Sequence, residues 1–423
     1  MGTVVLFEDP GYRRLLPLVH FRPVYDLRCG IRTLAQKIRK FYHGEEFVLF
    51  CREELSDVVK SQNAGTAVNV PPSTPCLLIN GRTIFTKTLF SKIPSEGPEE
   101  VFLSGNEIVA ARIDAGRLRK HMEGRAVLPE PSWFVDFPKS DVEARVVVYP
   151  WDLVRFNGEE IKADFKALVG RGRIEGRVYQ GAVLVQKKDI FVGKGAKVKP
   201  GVVLDAENGP IFIGRDAVVL PNAVIEGPAF VGEGSWIKIG AKIYENTSIG
   251  EMCKVGGEVE ASIVHSHSNK QHDGFLGHSY LGQWVNIGAD TNNSDLKNNY
   301  GSVKVVIDNE TVDSGSMFVG LTMGDHSKSG INTMFNTGTV VGVGCNVFGS
   351  DFPPKTIPSF SWGGTASLVT YDVDKCIEVA RRVMARRKVE MTGADEALFR
   401  RIFEATAPER GRWGVKPAGK AES

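Results

Sequence analysis

Aliphatic residues recur every six positions through the middle of the chain. One phase holds only β-branched residues, at Ile213, Val219, Ile225, Val231, Ile237, Ile243, Ile249 and Val255. The position four residues after each of the first seven holds Ala, Ser, Thr or Cys, and Gly214, Gly232 and Gly250 recur every eighteen residues. A short period with a large aliphatic at one point and a small residue at another is typical of a parallel β-helix. The pattern predicts coils of three six-residue sides.

The same period continues on both sides of this run. Matching positions are Val192, Val198 and Leu204 before it, and Ile263, Phe275, Leu281, Ile287, Met317, Met323, Phe335, Val341 and Val347 after it. We therefore predict a β-helix from about Asp189 to Gly349, with one excursion between Thr291 and about Thr311. A β-sandwich is the alternative, but it would need eight consecutive phase matches by chance.

The first 175 or so residues instead alternate apolar runs with helical segments. The predicted strands are Val4 to Phe7, Glu46 to Cys51, Leu77 to Asn80, Val101 to Leu103 and Val146 to Tyr149, and the predicted helices are Ile31 to Tyr42 and Ile113 to Met122. This alternation favours an α/β domain with a parallel sheet, whose ligand lies at the carboxyl ends of the strands.

The chain after the β-helix predicts a docked helix from Val373 to Arg387 and a loose tail from about Ala407 to Ser423. The pattern as a whole predicts an α/β domain over residues 1–175, a β-helix over 176–368 and a C-terminal helical segment over 369–423.

Composition excludes several classes of protein. A formal net charge of +2 with 24% charged residues argues against a nucleic-acid partner. The six cysteines form no CxxC pair, which predicts free thiols in a reducing compartment and no structural zinc. The N-terminal residues resemble neither a signal peptide nor a membrane span, so we expect a cytoplasmic protein.

Arginines cluster directly after the first predicted strand, at positions 13, 14, 22, 28 and 32. The planar guanidinium group stays charged and offers paired donors to phosphate. A solvated basic loop is the alternative. Because the cluster lies where an α/β domain holds its ligand, we predict nucleotide binding by Arg13, Arg22, Arg28 and Arg32. Glu8 and Asp9 are candidates to hold a Mg²⁺ ion that bridges the phosphates.

Histidines are concentrated in the predicted β-helix, at His265, His267, His272, His278 and His326. Acetyl transfer from a thioester to an amine needs a base that is unprotonated near neutral pH, and imidazole, with a pKa of about 6.5, meets that need. An asparagine amide can donate to the developing oxyanion. Zinc binding is the alternative, but the His265 and His267 pair has no carboxylate following it in register.

Three stretches resemble a known family. They are Leu16-Pro17-Leu18 followed by Arg22-Pro23, the run from His272-Asp273-Gly274-Phe275-Leu276-Gly277 to Val285–Thr291, and Asn298-Asn299-Tyr300-Gly301. All three are similar to bifunctional N-acetylglucosamine-1-phosphate uridylyltransferase/glucosamine-1-phosphate N-acetyltransferases. The chain also departs from that family. Phe7-Glu8-Asp9-Pro10 replaces its Gly-rich signature, Gly81-Arg82 replaces its metal-binding Gly-Asp, Phe275 replaces a tyrosine and Glu260 a lysine.

The resemblance implies a nucleotidyltransferase-like α/β domain, Mg²⁺ and a left-handed β-helix that forms homotrimers with acetyl-CoA as cosubstrate. It places His272 on the catalytic histidine and Asn299 on the residue to which we assign the oxyanion. His278 is the alternative base, because it lies six residues after His272, at the equivalent point of the next side of the coil. Asn286, Tyr300 and Phe275 fall on sugar-binding positions, and Asp325 to Asn332 on the groove for coenzyme A.

The implied function is acetylation of glucosamine-1-phosphate followed by uridylyl transfer, giving a UDP-N-acetylglucosamine-type product. Two alternatives remain open. One is a nucleotidyltransferase of another sugar-1-phosphate, such as a glucose-1-phosphate thymidylyltransferase, with a structural β-helix. The other is a non-catalytic trimeric scaffold.

Overall fold

The computed structural model describes residues 2–123 and 128–418. The N-terminal part is built on a sheet of seven strands, whose central members are fully buried apolar runs. The strands are, in spatial order, Lys139–Asp141, Glu100–Ser104, Glu107–Ile113, Cys76–Asn80, Thr3–Phe7, Glu46–Phe50 and Ala67–Val68. Glu107–Ile113 runs antiparallel to both neighbours, so the prediction of a parallel sheet is wrong for this strand. The reason is its two-residue connection from Ser104, which is too short for a parallel crossover.

The α-helices are α1 to α8 in chain order. Their bounds are Leu34–Arg39, Ser56–Gln62, Lys87–Lys92, Ala115–Met122, Pro150–Leu168, Val373–Ala385, Gly393–Ala405 and Ala407–Arg412. Short 3₁₀ turns lie at Pro10–Leu15, Val24–Asp26, Glu53–Leu55, Pro131–Phe134 and Lys187–Asp189.

Helix α5 was not predicted, and it joins the sheet region to the β-helix. Proline is its first residue, where a missing backbone N–H costs nothing. The Asn157 side chain accepts from the Gly30 backbone N–H at 2.7 Å and donates to the Asn246 carbonyl at 2.7 Å. A single helix thus hydrogen-bonds to both halves of the molecule.

The β-helix consists of three parallel ladders, and the predicted left-handed β-helix fold is confirmed. One ladder contains Arg177–Val178, Lys197–Val198, Val218–Val219, Trp236–Ile237, Lys254–Val255 and Asn269–Lys270. A second contains Val183–Val185, Val203–Asp205, Val224–Glu226, Lys242–Ile243, Glu258–Glu260 and Phe275–Gly277. The third contains Ile190–Val192, Ile211–Ile213, Ala229–Val231, Thr247–Ile249, Ile263–Val264, Tyr280–Leu281, Thr322–Met323, Val340–Val341 and Thr356–Ile357.

The six-residue series forms the interior of these coils. All eight β-branched residues from Ile213 to Val255 are buried, with at most 1% of their surface exposed. The coils extend beyond the range from Asp189 to Gly349 that the six-residue period predicts, and run from the bridge at Ile174 to the strand Ser361–Gly363.

The remaining strands are short pairs and the end of the β-helix. They are Arg28–Cys29 with Arg32–Thr33, Thr83–Ile84 with Arg145–Val146, Asn292–Asn293 with Met334–Phe335, Lys304–Ile307 with Glu310–Asp313, and the group Lys328–Ser329, Asn346–Val347, Ser361–Gly363 and Leu368–Thr370. The hairpin 304–313 lies in the predicted excursion, which ends later than the predicted Thr311, near the bridge between Leu296 and Phe318.

The C-terminal helices pack back onto both halves. The Phe399 ring of α7 lies 4.5 Å from Phe21 and 4.8 Å from His326. The predicted loose tail is wrong for residues 407–418, because α8 follows α7 and the Thr370 backbone N–H donates to the Lys416 carbonyl at 2.8 Å. Residues 419–423 of that tail lie outside the described residues. No helix in the described part of the chain is long and apolar enough to cross a membrane.

Candidate functional sites

His272 lies at a corner of the β-helix. It falls in the turn between Asn269–Lys270 of the first ladder and Phe275–Gly277 of the second, and its side chain is exposed. Just before it, the buried Lys270 ammonium donates to the His272 carbonyl at 2.9 Å and to the Gly256 carbonyl at 3.1 Å. Burial lowers the pKa of Lys270 to about 8. The corner backbone is therefore held from inside while the imidazole faces outward.

The predicted sugar-binding residues flank this corner on different sides. Asn286 is exposed and its backbone bridges Asn269 and Lys328 in the first ladder, whereas Phe275 belongs to the second. Asn299 and Tyr300 are exposed on the excursion, where the Asn299 amide oxygen accepts from the Gly301 backbone N–H at 3.1 Å. No hydrogen bond within residues 2–123 and 128–418 joins either of them to His272.

Among the described residues, the His278 side chain has partners and the His272 side chain has none. Its Nδ1 lies 2.8 Å from the Asp295 carboxylate, and its ring stacks on Phe318 at 4.8 Å. Asp295 and Phe318 stand at the two ends of the excursion, which the Asp295 carbonyl closes by accepting from the Val319 backbone N–H at 2.9 Å. His278 therefore contacts both ends of the segment that carries Asn299 and Tyr300.

The second ladder carries an acidic residue where the family has a lysine. Glu260 pairs in register with Gly277, next to His278, and burial raises the pKa of its carboxyl. Phe275 pairs in register with Glu258. Both features change the chemistry beside the residues predicted to bind a sugar.

The predicted coenzyme A groove is only partly exposed. Asp325 is 1% exposed, and His326 is also buried, because Arg22 of the N-terminal part contacts the first and Phe21 and Phe399 contact the second. Ser327 is buried inside the coils, where its hydroxyl donates to the Gly342 carbonyl at 2.7 Å. Asp325 pairs with Arg22, whose Nη1 lies 3.1 Å from the carboxylate. The prediction is therefore wrong for the Asp325 end of this stretch, while Ile331 and Asn332 are exposed.

At the carboxyl ends of the central strands, Arg82 occupies the position of the family's metal-binding aspartate. It is fully buried, its Nε donates to Asp9 at 2.8 Å, and its Nη2 pairs with Glu107. Arg14 also donates to Glu107 at 2.8 Å. The two arginines and the two carboxylates thus pair with one another in this part of the site.

The residues predicted to hold Mg²⁺ do not fit that ion. Glu8 is fully buried and accepts from the Val24 and Arg52 backbone N–H groups, each at 3.0 Å, while Asp9 is bound by Arg82. Burial raises the pKa of Glu8, against the opposing effect of Arg52. Among the described residues, no group of three His, Cys, Asp or Glu side chains is arranged to hold a metal.

The arginines predicted to bind nucleotide have separate positions. Arg13 is exposed and lines a cavity of about 550 Å³ beside the ends of Thr3–Phe7 and Glu46–Phe50. Arg22 and Arg28 border another cavity of about 440 Å³, but they are buried in ion pairs with Asp325 and Glu251, the latter at 2.7 Å. The structure gives these two arginines a role in the interface with the β-helix rather than the predicted contact with phosphate. Arg32 is half-buried near Asp164, which accepts from its backbone N–H at 3.1 Å.

Comparison with known proteins supports the resemblance seen in the sequence. Residues 4–173 match the family model described as sugar nucleotidyl transferase. The chain is 28% identical to the bifunctional protein GlmU of Methanococcus aeolicus over 232 residues, covering 53% of this chain and 44% of that protein. It is 29% identical to the bifunctional protein GlmU of Methanocaldococcus jannaschii over 171 residues, covering 40% and 34%. The chain thus spans less than half the length of these curated relatives.

Solved structures are similar to part of the chain. The UDP-N-acetylglucosamine acyltransferase from Campylobacter jejuni is 13% identical with a TM-score of 0.21, covering 55% of this chain and 96% of that one. The polySia-specific acetyltransferase NeuO is 12% identical with a TM-score of 0.25, covering 50% and 98%. The predicted resemblance to divergent GlmU-like proteins is confirmed by the sequence comparisons.

Proposed function

We propose that the protein is a two-site transferase of sugar-nucleotide biosynthesis. The N-terminal part, residues 1–175, transfers a nucleotidyl group to a sugar 1-phosphate, and the β-helix, residues 176–368, acetylates a sugar amine. The observation that carries the proposal is that one chain joins a sugar nucleotidyl transferase segment, residues 4–173, to a β-helix bearing the His272 to Thr291 motif. Residues 369–423 form a third, helical segment. By similarity to the bifunctional relatives, the acceptor is glucosamine-1-phosphate and the product is of the UDP-N-acetylglucosamine type.

In the acetylation step, the sugar amine attacks the thioester carbonyl of acetyl-CoA. The new C–N bond forms, the C–S bond breaks, and coenzyme A leaves as the thiol. His272 accepts the proton of the amine, and the Asn299 amide donates to the oxyanion as charge develops. Asn286, Tyr300 and Phe275 bind the sugar. A neighbouring copy of the chain would supply the partners that the exposed His272 lacks.

In the nucleotidyl step, a phosphate oxygen of the sugar 1-phosphate attacks the α-phosphorus of a nucleoside triphosphate, and pyrophosphate leaves. Arg13 supplies positive charge beside the strand ends, where an open α/β sheet binds its ligands. Because Glu8 and Asp9 do not fit a metal ion, no step is assigned to magnesium.

The decisive experiment offers acetyl-CoA and a panel of amino-sugar phosphates to the purified full chain and measures thiol release. A parallel assay measures pyrophosphate release from each nucleoside triphosphate with each sugar 1-phosphate. Thiol release with glucosamine-1-phosphate supports the acetyltransferase site. Pyrophosphate release without thiol release would leave only a nucleotidyltransferase, and the absence of both would leave a scaffold.

We also propose that the β-helix assembles as a homotrimer. Large apolar side chains remain exposed on its coils in the single chain, with 69% of Ile239, 70% of Ile331 and 42% of Trp236 accessible. Exposed apolar groups on a stack of coils favour association. Light scattering should give three times the mass of one chain. A monomer at micromolar concentration would contradict the trimer and the completion of the His272 site by a neighbour.

A further inference from the structure

The 550 Å³ cavity lies between three parts of the chain that are far apart in sequence. The N-terminal part contributes Tyr12 and Arg13, the excursion hairpin contributes Asp308, and the C-terminal helices contribute Arg401, Arg412 and Trp413. Its volume falls in the range of ordinary ligand sites. Arg401, Arg412 and Trp413 belong to no motif that the sequence reveals.

Three arginines bordering this cavity have no carboxylate partner in the part of the chain that the structure describes. Arg13, Arg401 and Arg412 are exposed and form no ion pair with any residue that the structure describes. Most other arginines in this region are paired, as Arg52 is with Glu8 at 3.2 Å. Glu54, Asp308 and Glu409 also border the cavity, and Glu54 lies 3.9 Å from Arg52. Unpaired guanidinium groups are the donors that phosphate oxygens require.

The cavity also offers aromatic surface. Trp413 is 40% exposed, and no ring or cation of the described residues stacks on its indole. The Tyr12 ring has Arg52 over one face at 4.1 Å. The free face of the Trp413 ring suits stacking on a nucleotide base, and the unpaired arginines next to it suit contacts with the phosphates.

The C-terminal wall is fixed in place. Arg410, 5% exposed, donates to the Phe403 carbonyl at 2.7 Å and to the Ser359 carbonyl at 3.3 Å, and its guanidinium lies 4.2 Å from the Phe403 ring. These contacts tie α8 to α7 and to the last coils of the β-helix. A wall held this way binds with little ordering cost.

We infer that this cavity binds the nucleoside triphosphate and that the C-terminal helices complete it, with Arg412 contacting the phosphates and Trp413 stacking on the base. The inference rests on the nucleotidyl transfer proposed above and adds residues outside the segment that matches the transferase family. It makes nucleotide binding depend on residues about 400 positions from Arg13.

The test is calorimetric binding of UTP, dTTP and ATP to the full chain and to single variants. Arg412→Ala should weaken binding of the preferred triphosphate about tenfold or more, since a charge-assisted contact is lost. Trp413→Ala should weaken it about tenfold, and Trp413→Phe should retain most of the affinity because a ring remains. Arg400→Ala is the matched control, because Arg400 lies on α7 beside Arg401 but pairs with Asp374 and Glu396. Melting temperatures of all variants report whether each one folds.

Two results would overturn the inference. If Arg412→Ala and Trp413→Ala bind triphosphate as the unmodified protein does while Arg13→Ala binds more weakly, nucleotidyl transfer stands and the C-terminal wall plays no part. If the same two variants lose affinity for coenzyme A and keep it for triphosphates, the cavity serves the acetyl donor. Failure of the unmodified protein to bind any triphosphate would instead remove the proposed nucleotidyl transfer itself.

Discussion

Individual side chains in this protein show how the same residue type takes different roles according to its partners. Arg13 is exposed at a cavity, Arg22 and Arg28 are buried in ion pairs, and Arg82 balances two carboxylates. The sequence places the four predicted nucleotide-binding arginines within twenty residues, and only their contacts distinguish them. His272 and His278 differ in the same way, since one is exposed and the other is bound to Asp295.

His272→Ala should lower acetyl transfer by about 10²- to 10⁴-fold, because a general base contributes that much to the rate. Asn299→Ala should cost about 10²-fold or more if its amide serves the oxyanion. Thiol release from acetyl-CoA under saturating substrate measures both. His43→Ala, at another exposed histidine, is the control and should leave the rate unchanged. Full activity of His272→Ala in a folded protein would remove His272 from the site.

Arg82→Ala should destabilise the protein by about 3–5 kcal/mol, because it leaves Asp9 and Glu107 without their buried counter-charge. Urea unfolding of the full chain measures the change. Arg215→Ala breaks an exposed pair with Glu233 and should leave the unfolding midpoint almost unchanged. If both variants unfold at the same urea concentration, the Arg82 network contributes no specific stability.

At the scale of elements, the regular part of the fold was predictable and the irregular part was not. Each coil repeats a local six-residue pattern, so the sequence alone predicts the β-helix. The direction of Glu107–Ile113 and the existence of α5 depend on how separate segments pack, and neither leaves a repeated signal. The Arg22 to Asp325 pair joins residues 303 positions apart, which no short motif reveals. The sequence likewise predicted the excursion, but it did not reveal that the His278 imidazole contacts both ends of it.

His278→Ala should lower acetyl transfer about 10- to 100-fold by releasing the excursion that carries Asn299 and Tyr300. His278→Asn distinguishes this positioning role from a base. The Asn amide keeps a donor for Asp295 and tolerates the backbone φ of 45°, so it should retain much of the activity. If His278→Asn is as inactive as His278→Ala and His272→Ala is active, His278 is the base. Its contacts with Asp295 and Phe318 make His278 a positioning residue rather than the alternative base predicted from the sequence.

At the scale of the whole molecule, the N-terminal part, the β-helix and the C-terminal helices share one buried interface. Phe21 lies 5.4 Å from His326, and both rings pack on Phe399. Burial lowers the pKa of His20 to about 3 and lowers the pKa values of His265 and His326 well below 6.5. Burial also raises the pKa of Asp26 to about 6. Docking of the three parts thus holds several histidines neutral at pH values where they are charged in the unfolded chain.

This arrangement predicts that His326 makes folding less favourable in acid. Its pKa is lowered in the folded state, so below pH 6.5 the unfolded chain binds a proton that the folded chain does not, and stability falls as pH falls. Asp26 acts in the opposite direction between about pH 6 and its usual pKa, because its raised pKa makes the folded state bind more protons there.

The contribution of a single histidine must therefore be isolated by comparing variants. His326→Phe preserves an aromatic ring among Phe21, Phe399 and Trp284 and removes the titrating group. Between pH 7.5 and pH 5, its unfolding free energy should fall by less than that of the unmodified protein. The difference is at most about 2 kcal/mol, because pH 5 lies 1.5 pH units below the unfolded pKa of about 6.5 and each unit corresponds to about 1.36 kcal/mol. Urea unfolding at both pH values measures this difference. If the unfolding free energies of the variant and of the unmodified protein fall equally between the two pH values, His326 takes up its proton in the folded interface as well.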